Sequence, residues 1–311
     1  MKAAIVSAKG QTPSYHDFPE PQADDQHVIV TVKAAALSQL TKSRAAGTHY
    51  SAEGQFPFIA GVDGTGYLAD GQPVYFLAFT PPWGSMAEKT RVPGAAVVPF
   101  SPTLDLAEVA ALANPGMSSW AALTRRAQLR RGETVLINGA TGASGGLAVR
   151  IARYLGAGKI IVTGRNPDAL HRLLTEGADI ALPLDTLAAK LPALMAGGID
   201  VVLDYLWGQS ALDIMTAAVT GGDRALRFVQ IGSLSGENIA LHSKLLRASG
   251  LTLMGSGLGS VSNRELIASV GELLDAATKT DFTVPSRTVP LAGVNQAWTE
   301  ESNRQRIVFT L

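Results

Sequence analysis

Three glycines spaced by three, Gly139, Gly142 and Gly145, are the residues of this chain whose type and spacing most directly suggest chemistry. They follow an apolar run, Thr134-Val135-Leu136-Ile137-Asn138, and lead into a segment with the spacing of an amphipathic helix. Glycine lets a backbone turn tightly and approach a ligand, and the unpaired amides at a helix start receive phosphate oxygens. Thr141, Gly142, Ala143, Ser144 and Gly145 are therefore the candidate pyrophosphate site of a dinucleotide. The alternative is an ordinary Gly-rich strand-to-helix connection, against which the strand before and the helix after both count.

About 20 residues further on, a second apolar strand ends in Gly164-Arg165-Asn166, where an NAD site would carry an acidic residue for the ribose hydroxyls. Arg165 instead offers a planar cation suited to a 2′-phosphate, and Gly164 leaves room for it. NADPH is the expected cofactor, with Gly164, Arg165 and Asn166 at its adenosine phosphate. The other reading of Arg165 is a solvated charge at a strand end. Asp168 lies past Pro167, in the following helix.

Other chemistries find little support. The chain has no cysteine, hence no disulfide, no thiolate nucleophile and no zinc site built from cysteines. The five histidines lack helical ligand spacing, and each is equally readable as a surface or hydrogen-bonded side chain. A short-chain dehydrogenase needs a tyrosine and a lysine four residues apart on one helix. Tyr15, Tyr50, Tyr67, Tyr75, Tyr154 and Tyr205 are followed at that spacing by Pro19, Gly54, Gly71, Phe79, Gly158 and Gln209.

The elements that must position these residues follow from periodicity. Residues 1 to about 100 read as short strands (3–7, 28–34, 66–68, 74–77) punctuated by proline and glycine, an antiparallel, barrel-like region. From about 105 helices and strands alternate: helices 106–112 and 118–127, strand 134–138, helix 145–155, strand 159–163, helix 167–176, and strands 201–203, 228–231 and 251–254. That order predicts an α/β fold with a Rossmann-type doubly wound parallel sheet. A helix over 264–277, a strand over 284–289, a helix over 291–299 and a strand over 306–310 close the chain.

Composition agrees. At 311 residues and 46% hydrophobic, the chain can build about two cores. Lys plus Arg equals Asp plus Glu at 26 each, so nothing global attracts nucleic acid or an anionic membrane, and a small-molecule partner is expected. The N-terminal apolar run is too short for a signal peptide and no stretch approaches about 18 apolar residues, so a cytoplasmic location is expected.

The segments Met1-Lys2-Ala3-Ala4, Pro19-Glu20-Pro21, Phe56-Pro57-Phe58-Ile59-Ala60-Gly61, Gly84-Ser85-Met86-Ala87-Glu88, the Gly-rich turn and Arg306-Ile307-Val308 occur in the order and spacing of one family. Along nearly its whole length the chain resembles the medium-chain dehydrogenase/reductase superfamily, and within it the zinc-independent NADPH:quinone oxidoreductases. The resemblance implies a catalytic chaperonin-10-like β-barrel domain from residues 1–115 and 261–311, a dinucleotide domain from 116–260, and a cofactor in the cleft. Where zinc-dependent members carry a cysteine and a His-Glu pair, this chain has Ser38 and Val62-Asp63. A site without that Lewis acid suits acceptors that are already electron-poor, a quinone or a conjugated carbonyl such as an alkenal or enone.

Further residues are implied by the same resemblance. Ile231, Gly232 and Ser233 correspond to a segment beside the nicotinamide, or to a plain Gly-Ser turn. Ser118 corresponds to a hydroxyl near the carboxamide, or simply starts a helix. Ser256 and Asn303 are also carried over to the cofactor site. For catalysis the candidates are Ser38, where related enzymes have asparagine, and Tyr50, one residue from a pocket tyrosine; a packing role competes for Tyr50. Trp83 and Trp207 are readable as pocket lining or as core. A homodimer joined by edge pairing around 251–256 is implied. A non-catalytic NADPH-binding sensor is the reading from a different class.

Overall fold

The computed structural model describes residues 1–52, 54–300 and 305–311. The chain forms two compact units, Met1–Asn114 with Ile267–Leu311, and Pro115–Leu266.

The first unit is built on β1 (Lys2–Val6), β2 (Ser14–Asp17), β3 (His27–Ala36), β4 (Phe58–Ile59), β5 (Asp63–Tyr67), β6 (Pro73–Leu77), β7 (Lys89–Pro93) and β8 (Val97–Pro99), with the short helix α1 (Gln39–Ala45). A small antiparallel sheet runs β2-β1-β4. The larger sheet is organised around β3, whose Val30, Val32 and Ala34 alternate into the core. Three strands pair antiparallel with it: β5, β7 and the C-terminal β16 (Arg306–Thr310), which is itself paired in parallel with β15 (Ser286–Pro290). The β3–β5 register shifts between Val32 and Ala34, a bulge opposite Gly66. A side chain at 66 would lie 2.1 Å from the Thr31 carbonyl oxygen, so only glycine lets these strands pair.

One helix differs from the expectation. Asn114-Pro115-Gly116 reads as a break between two helices, but α2 runs unbroken from Leu106 to Ala121 with Pro115 inside it, ending in a π-helical turn, Ala122–Arg126. Burial explains its persistence: residues 109–113 and 119–123 are almost inaccessible, and packing of that size outweighs one lost backbone bond. Ser118 and Ser119 donate their hydroxyls to the Pro115 carbonyl at 2.8 and 3.1 Å.

The second unit holds β9 (Thr134–Asn138), α3 (Ala143–Tyr154), β10 (Lys159–Gly164), α4 (Pro167–Thr175), β11 (Ile180–Pro183), α5 (Leu187–Ala196), β12 (Val201–Asp204), α6 (Gly208–Ala217), β13 (Ala225–Gln230), α7 (Lys244–Arg247) and β14 (Gly250–Gly255). All six strands are parallel, in the order β11-β10-β9-β12-β13-β14. Counted within the unit this is 3-2-1-4-5-6, the doubly wound order of dinucleotide-binding sheets, as expected. Leu136, Ile161, Val202 and Phe228 carry the sheet's contribution to one core, against Leu191, Met195, Ile214 and Met215 of α5 and α6. Helices α8 (Asn263–Ala277) and α9 (Val294–Thr299) complete the chain.

Gly66→Ala is expected to cost at least about 2 kcal/mol in denaturant unfolding, because the added methyl meets backbone that cannot rotate away. Gly94→Ala, where the methyl would meet nothing within 4 Å, is expected to change stability by less than about 1 kcal/mol.

Candidate functional site

The doubly wound order places a crevice at the carboxyl ends of β9 and β12, where the chain reverses its direction of travel across the sheet. The Gly-rich turn stands there. Gly139 adopts φ +88°, and a side chain on it would strike Leu206 at 2.7 Å. Gly145 lies so close to the returning backbone that a Cβ would sit 2.5 Å from the Gly139 carbonyl oxygen. Gly142 differs. A Cβ there would meet nothing within 4 Å, and no side chain caps the helix start it forms. The first amides of α3 have no acceptor within the helix, and residues 142 and 143 are exposed. Pyrophosphate fits this cradle: open space over residue 142, uncapped amides from residues 143–145, and a helix N-terminus behind them. Ser144 adds its carbonyl as an acceptor for Ser119 Oγ at 3.2 Å, which ties the turn to α2.

At the end of β10, Arg165 is exposed and has no hydrogen-bond or ion-pair partner among the described residues. Asn166 has a role within the protein. Its side-chain oxygen accepts from the Ala169 amide at 3.0 Å and caps α4. Gly164 likewise has a role within the protein. Its missing side chain is replaced by Thr141, whose Cγ2 would lie 2.3 Å from a Cβ at 164. The space over Gly164 is therefore filled by the Gly-rich turn itself.

The opposite wall is built by the ends of β12, β13 and β14. The amides of Ile231 and Gly232 both donate to the Asp204 carbonyl, at 2.8 and 3.2 Å, and Gly232 packs on the Tyr205 backbone. Ser233 Oγ donates to Glu237 at 3.0 Å, and the Ser256 amide bonds the Gln230 carbonyl at 2.8 Å. Ser118 is half-buried, its hydroxyl 2.8 Å from the Pro115 carbonyl and also within hydrogen-bonding reach of Tyr205. Its neighbour Ser119, missed from sequence, is fully buried and 2.8 Å from the Tyr205 hydroxyl, whose pKa burial holds well above the ordinary phenol value. Asn303 lies outside the described residues. The structure thus gathers the turn and the 231–233 segment at one end of one sheet.

In the first unit, the two catalytic candidates stand in different surroundings, one buried and one exposed. Ser38 is buried at the N-cap of α1, where its oxygen accepts from the Thr41 amide at 3.0 Å and lies 2.9 Å from the Thr41 hydroxyl. Its hydroxyl serves the helix. Tyr50 is 73% exposed, its ring stacked on His49 at 4.2 Å. Near α1 is a small open recess, lined by Thr41, Arg44, Phe58, Val62, Phe79 and Trp83 among others. Trp83 borders it and also packs against the small core cluster of Ala3, Ile5, Ile59 and Ala87. Trp207, in contrast, packs edge-on against Phe228 at the rim of the second unit's core. Arg44 is held over the Phe79 ring, donating to the Phe79 carbonyl at 2.7 Å and to Ser51 at 2.9 Å.

Two buried carboxylates carry no signal in a single sequence. Asp63 receives the Tyr75 hydroxyl at 3.3 Å and the Asn114 amide at 3.4 Å; burial pushes its pKa up to about 6, opposed by Arg306. Asp204 lies at the end of β12 with no exposure, and burial again outweighs its hydrogen bonds and pushes its pKa up to about 6. Among the described residues, no group of three or more His, Cys, Asp or Glu side chains is placed to hold a metal ion.

Comparison with known proteins agrees with this geometry. The zinc-binding dehydrogenase family matches residues 143–276. A probable NADPH-dependent quinone reductase of Emericella nidulans is 29% identical over 99% of both chains. The quinone oxidoreductase of Rattus norvegicus is 25% identical over 83% of this chain and 79% of its own. Among solved structures, the quinone oxidoreductase of Thermus thermophilus, also determined in complex with NADPH, covers the full length of both chains at a TM-score of 0.84 and 26% identity. The chain belongs to the medium-chain dehydrogenase/reductase superfamily, a family of oxidoreductases. Within it the chain is quinone-oxidoreductase-like.

Gly145→Ala is expected to lower the unfolding midpoint, while Gly142→Ala leaves it unchanged within error, since only the first added methyl meets protein. Asp63 yields a pH prediction. A carboxylate whose folded-state pKa is raised stabilises the fold below its unfolded value of 3.8, and that contribution is lost as pH rises through about 6. Denaturant titrations from about pH 4 to 7 should show a decline of roughly 2–3 kcal/mol from this group, absent in Asp63→Asn whatever that variant's absolute stability.

Proposed function

We propose that this chain is an NADPH-dependent quinone oxidoreductase. The observation that carries the reading is the pairing of an open, uncapped cradle at Gly142 with a guanidinium, at the end of the next strand, that has no partner among the described residues. The amides of residues 143–145 take the pyrophosphate, and Arg165 takes the 2′-phosphate through charge-assisted bonds that a ribose hydroxyl cannot match. Ile231, Gly232, Ser233, Ser118 and Ser256 line the rest of the cofactor's course. Bound there, the reduced nicotinamide supplies a hydride to an electron-poor acceptor. In this reading residues 1–115 and 261–311 are the acceptor-binding domain, where Phe58, Phe79 and Trp83 supply aromatic surface and Arg44 a cation around a small open recess. An alkenal or enone acceptor is served by the same parts and is separated from a quinone by its product.

No helix among the described residues is long and apolar enough to cross a membrane, and we take the enzyme to act in the cytoplasm. Among the described residues, strand β14 ends its sheet, paired on one side with β13. Its second edge is the expected seam of a homodimer, which sedimentation at micromolar concentration tests: a species at monomer mass alone removes it.

The test of function is oxidation of NADPH followed at its absorbance band, in parallel with NADH, against 1,4-benzoquinone, 9,10-phenanthrenequinone and a short alkenal, with and without a chelator. NADPH-selective turnover that a chelator leaves unchanged supports the reading, and the preferred acceptor decides between quinone and enone. Tight NADPH binding without turnover favours the sensor. Arg165→Asp is expected to weaken NADPH by about 2–3 kcal/mol more than NADH. Equal losses for the two cofactors would remove the 2′-phosphate assignment.

A further inference from the structure

Beneath the crevice lies a polar chain that no exposed residue joins. Asn138, Thr163 and Asp204, at the ends of β9, β10 and β12, are all inaccessible to solvent. Asp204 Oδ1 accepts from Asn138 Nδ2 at 2.8 Å and from the Leu206 amide at 3.1 Å, and the Trp207 amide donates to both its oxygens at 3.1–3.2 Å. Asn138 Nδ2 also reaches Ser210 of α6 at 2.9 Å, and Asn138 Oδ1 accepts from the Thr163 hydroxyl at 2.7 Å. Thr163 Oγ1 in turn accepts the amide of Gly139, the first residue of the Gly-rich turn, at 3.1 Å.

The chain therefore begins at the turn and ends at the loop on the other side of the crevice. That loop needs holding. Trp207 has φ +59°, a conformation L side chains rarely adopt, and two Asp204-bound amides sit at and before it. Leu206 in turn fills the space that the missing side chain of Gly139 leaves.

We propose that Asp204 is a positioning residue for the dinucleotide: its carboxylate, directly at Leu206 and Trp207 and through Asn138 and Thr163 at Gly139, sets both walls of the crevice, and does so only while ionised. The inference rests on the dinucleotide reading of the Gly-rich turn. Its chemistry is in the partners. The side chains and amides that Asp204 contacts, from β9 and the 206–207 loop, all donate, so a carboxylate satisfies every one. A protonated carboxyl would set an O–H against donors and lose a bond. Among the described residues no charged side chain faces it: β9 presents Asn138, the paired position on β13 is Gln230, α6 presents Ser210, and the Tyr205 hydroxyl lies 2.8 Å from Ser119 Oγ. Burial, the larger influence, pushes the Asp204 pKa up to about 6, so the switch falls within an accessible range.

The experiment is calorimetric titration of the full chain with NADP⁺, which tolerates acid, from about pH 5 to 8, on wild type and Asp204→Asn. The ligand's 2′-phosphate also gains a proton near pH 6, an effect common to both proteins. Between about pH 7.5 and 5 the wild type should lose roughly tenfold more affinity than Asp204→Asn. Thr163→Val, which cuts the link to Gly139 and leaves Asp204 in place, should bind weakly throughout and show a reduced wild-type-specific pH effect. Amide hydrogen exchange without ligand is the second readout. Protection at Gly139 and Trp207, corrected for intrinsic rates, should fall below about pH 6 in wild type only. Binding with superimposable pH profiles and unchanged protection overturns the inference alone. No binding of either NADP⁺ or NADPH at neutral pH overturns the dinucleotide reading and the inference with it.

Discussion

The close approach of two backbones, at Gly145 and Gly139, is the constraint on which the second unit's site depends. With a Cβ at 145 only 2.5 Å from the 139 carbonyl, any side chain would push the start of α3 away from the end of β9. The amides that make a helix N-terminus attractive to an anion would then no longer converge on the crevice. Everything else at this end of the sheet is arranged around that contact: Leu206 packs on one side of the turn, Thr141 folds over Gly164 on the other, and Ser119 secures the Ser144 carbonyl from α2.

The two units handle buried carboxylates in different ways. Asp204 is surrounded by donors and carries no counter-charge among the described residues, so its ionisation is stabilised by dipoles alone. Asp63 has a guanidinium nearby as well as two donors, yet Nε and one terminal nitrogen of that Arg306 side chain are buried without partners among the described residues. Burying guanidinium nitrogens without partners costs stability that a nearby carboxylate, itself pushed toward its neutral form by burial, returns only in part.

Much of this was legible in the sequence because the decisive signals are local. Period-two and period-3.6 apolar patterns bounded by glycine located the strands β9, β10 and β12 and the helices α3 and α4, and their alternation pointed to the parallel sheet. The Gly-rich turn was legible for the same reason: its conformation is set by residue types within eight positions. Short or interrupted elements were not. Helix α5 contains Pro192, β11 has four residues and no fully buried one, and α2 persists across Pro115 through burial that a proline signal conceals. Ser38 and Tyr50 illustrate a second limit. Residue type and resemblance nominate a hydroxyl, but only the fold shows that one caps a helix and the other faces solvent. Asp204 and Ser119 went unnoticed because buried polar contacts join residues from 25 to 86 positions apart, with no pattern along the chain.

The Thr141 side chain lying over Gly164 bears on how cofactor preference can be redesigned. Exchanging the residue at the end of the second strand is the obvious route from a phosphorylated to an unphosphorylated nucleotide, and position 164 looks in sequence like a free choice. Here it is not. Any larger residue at 164 first collides with Thr141, and so disturbs the Gly-rich turn itself. Positions 141 and 164 are consequently one design variable, and substitutions at the two must be chosen together, with the smaller residue admitted first.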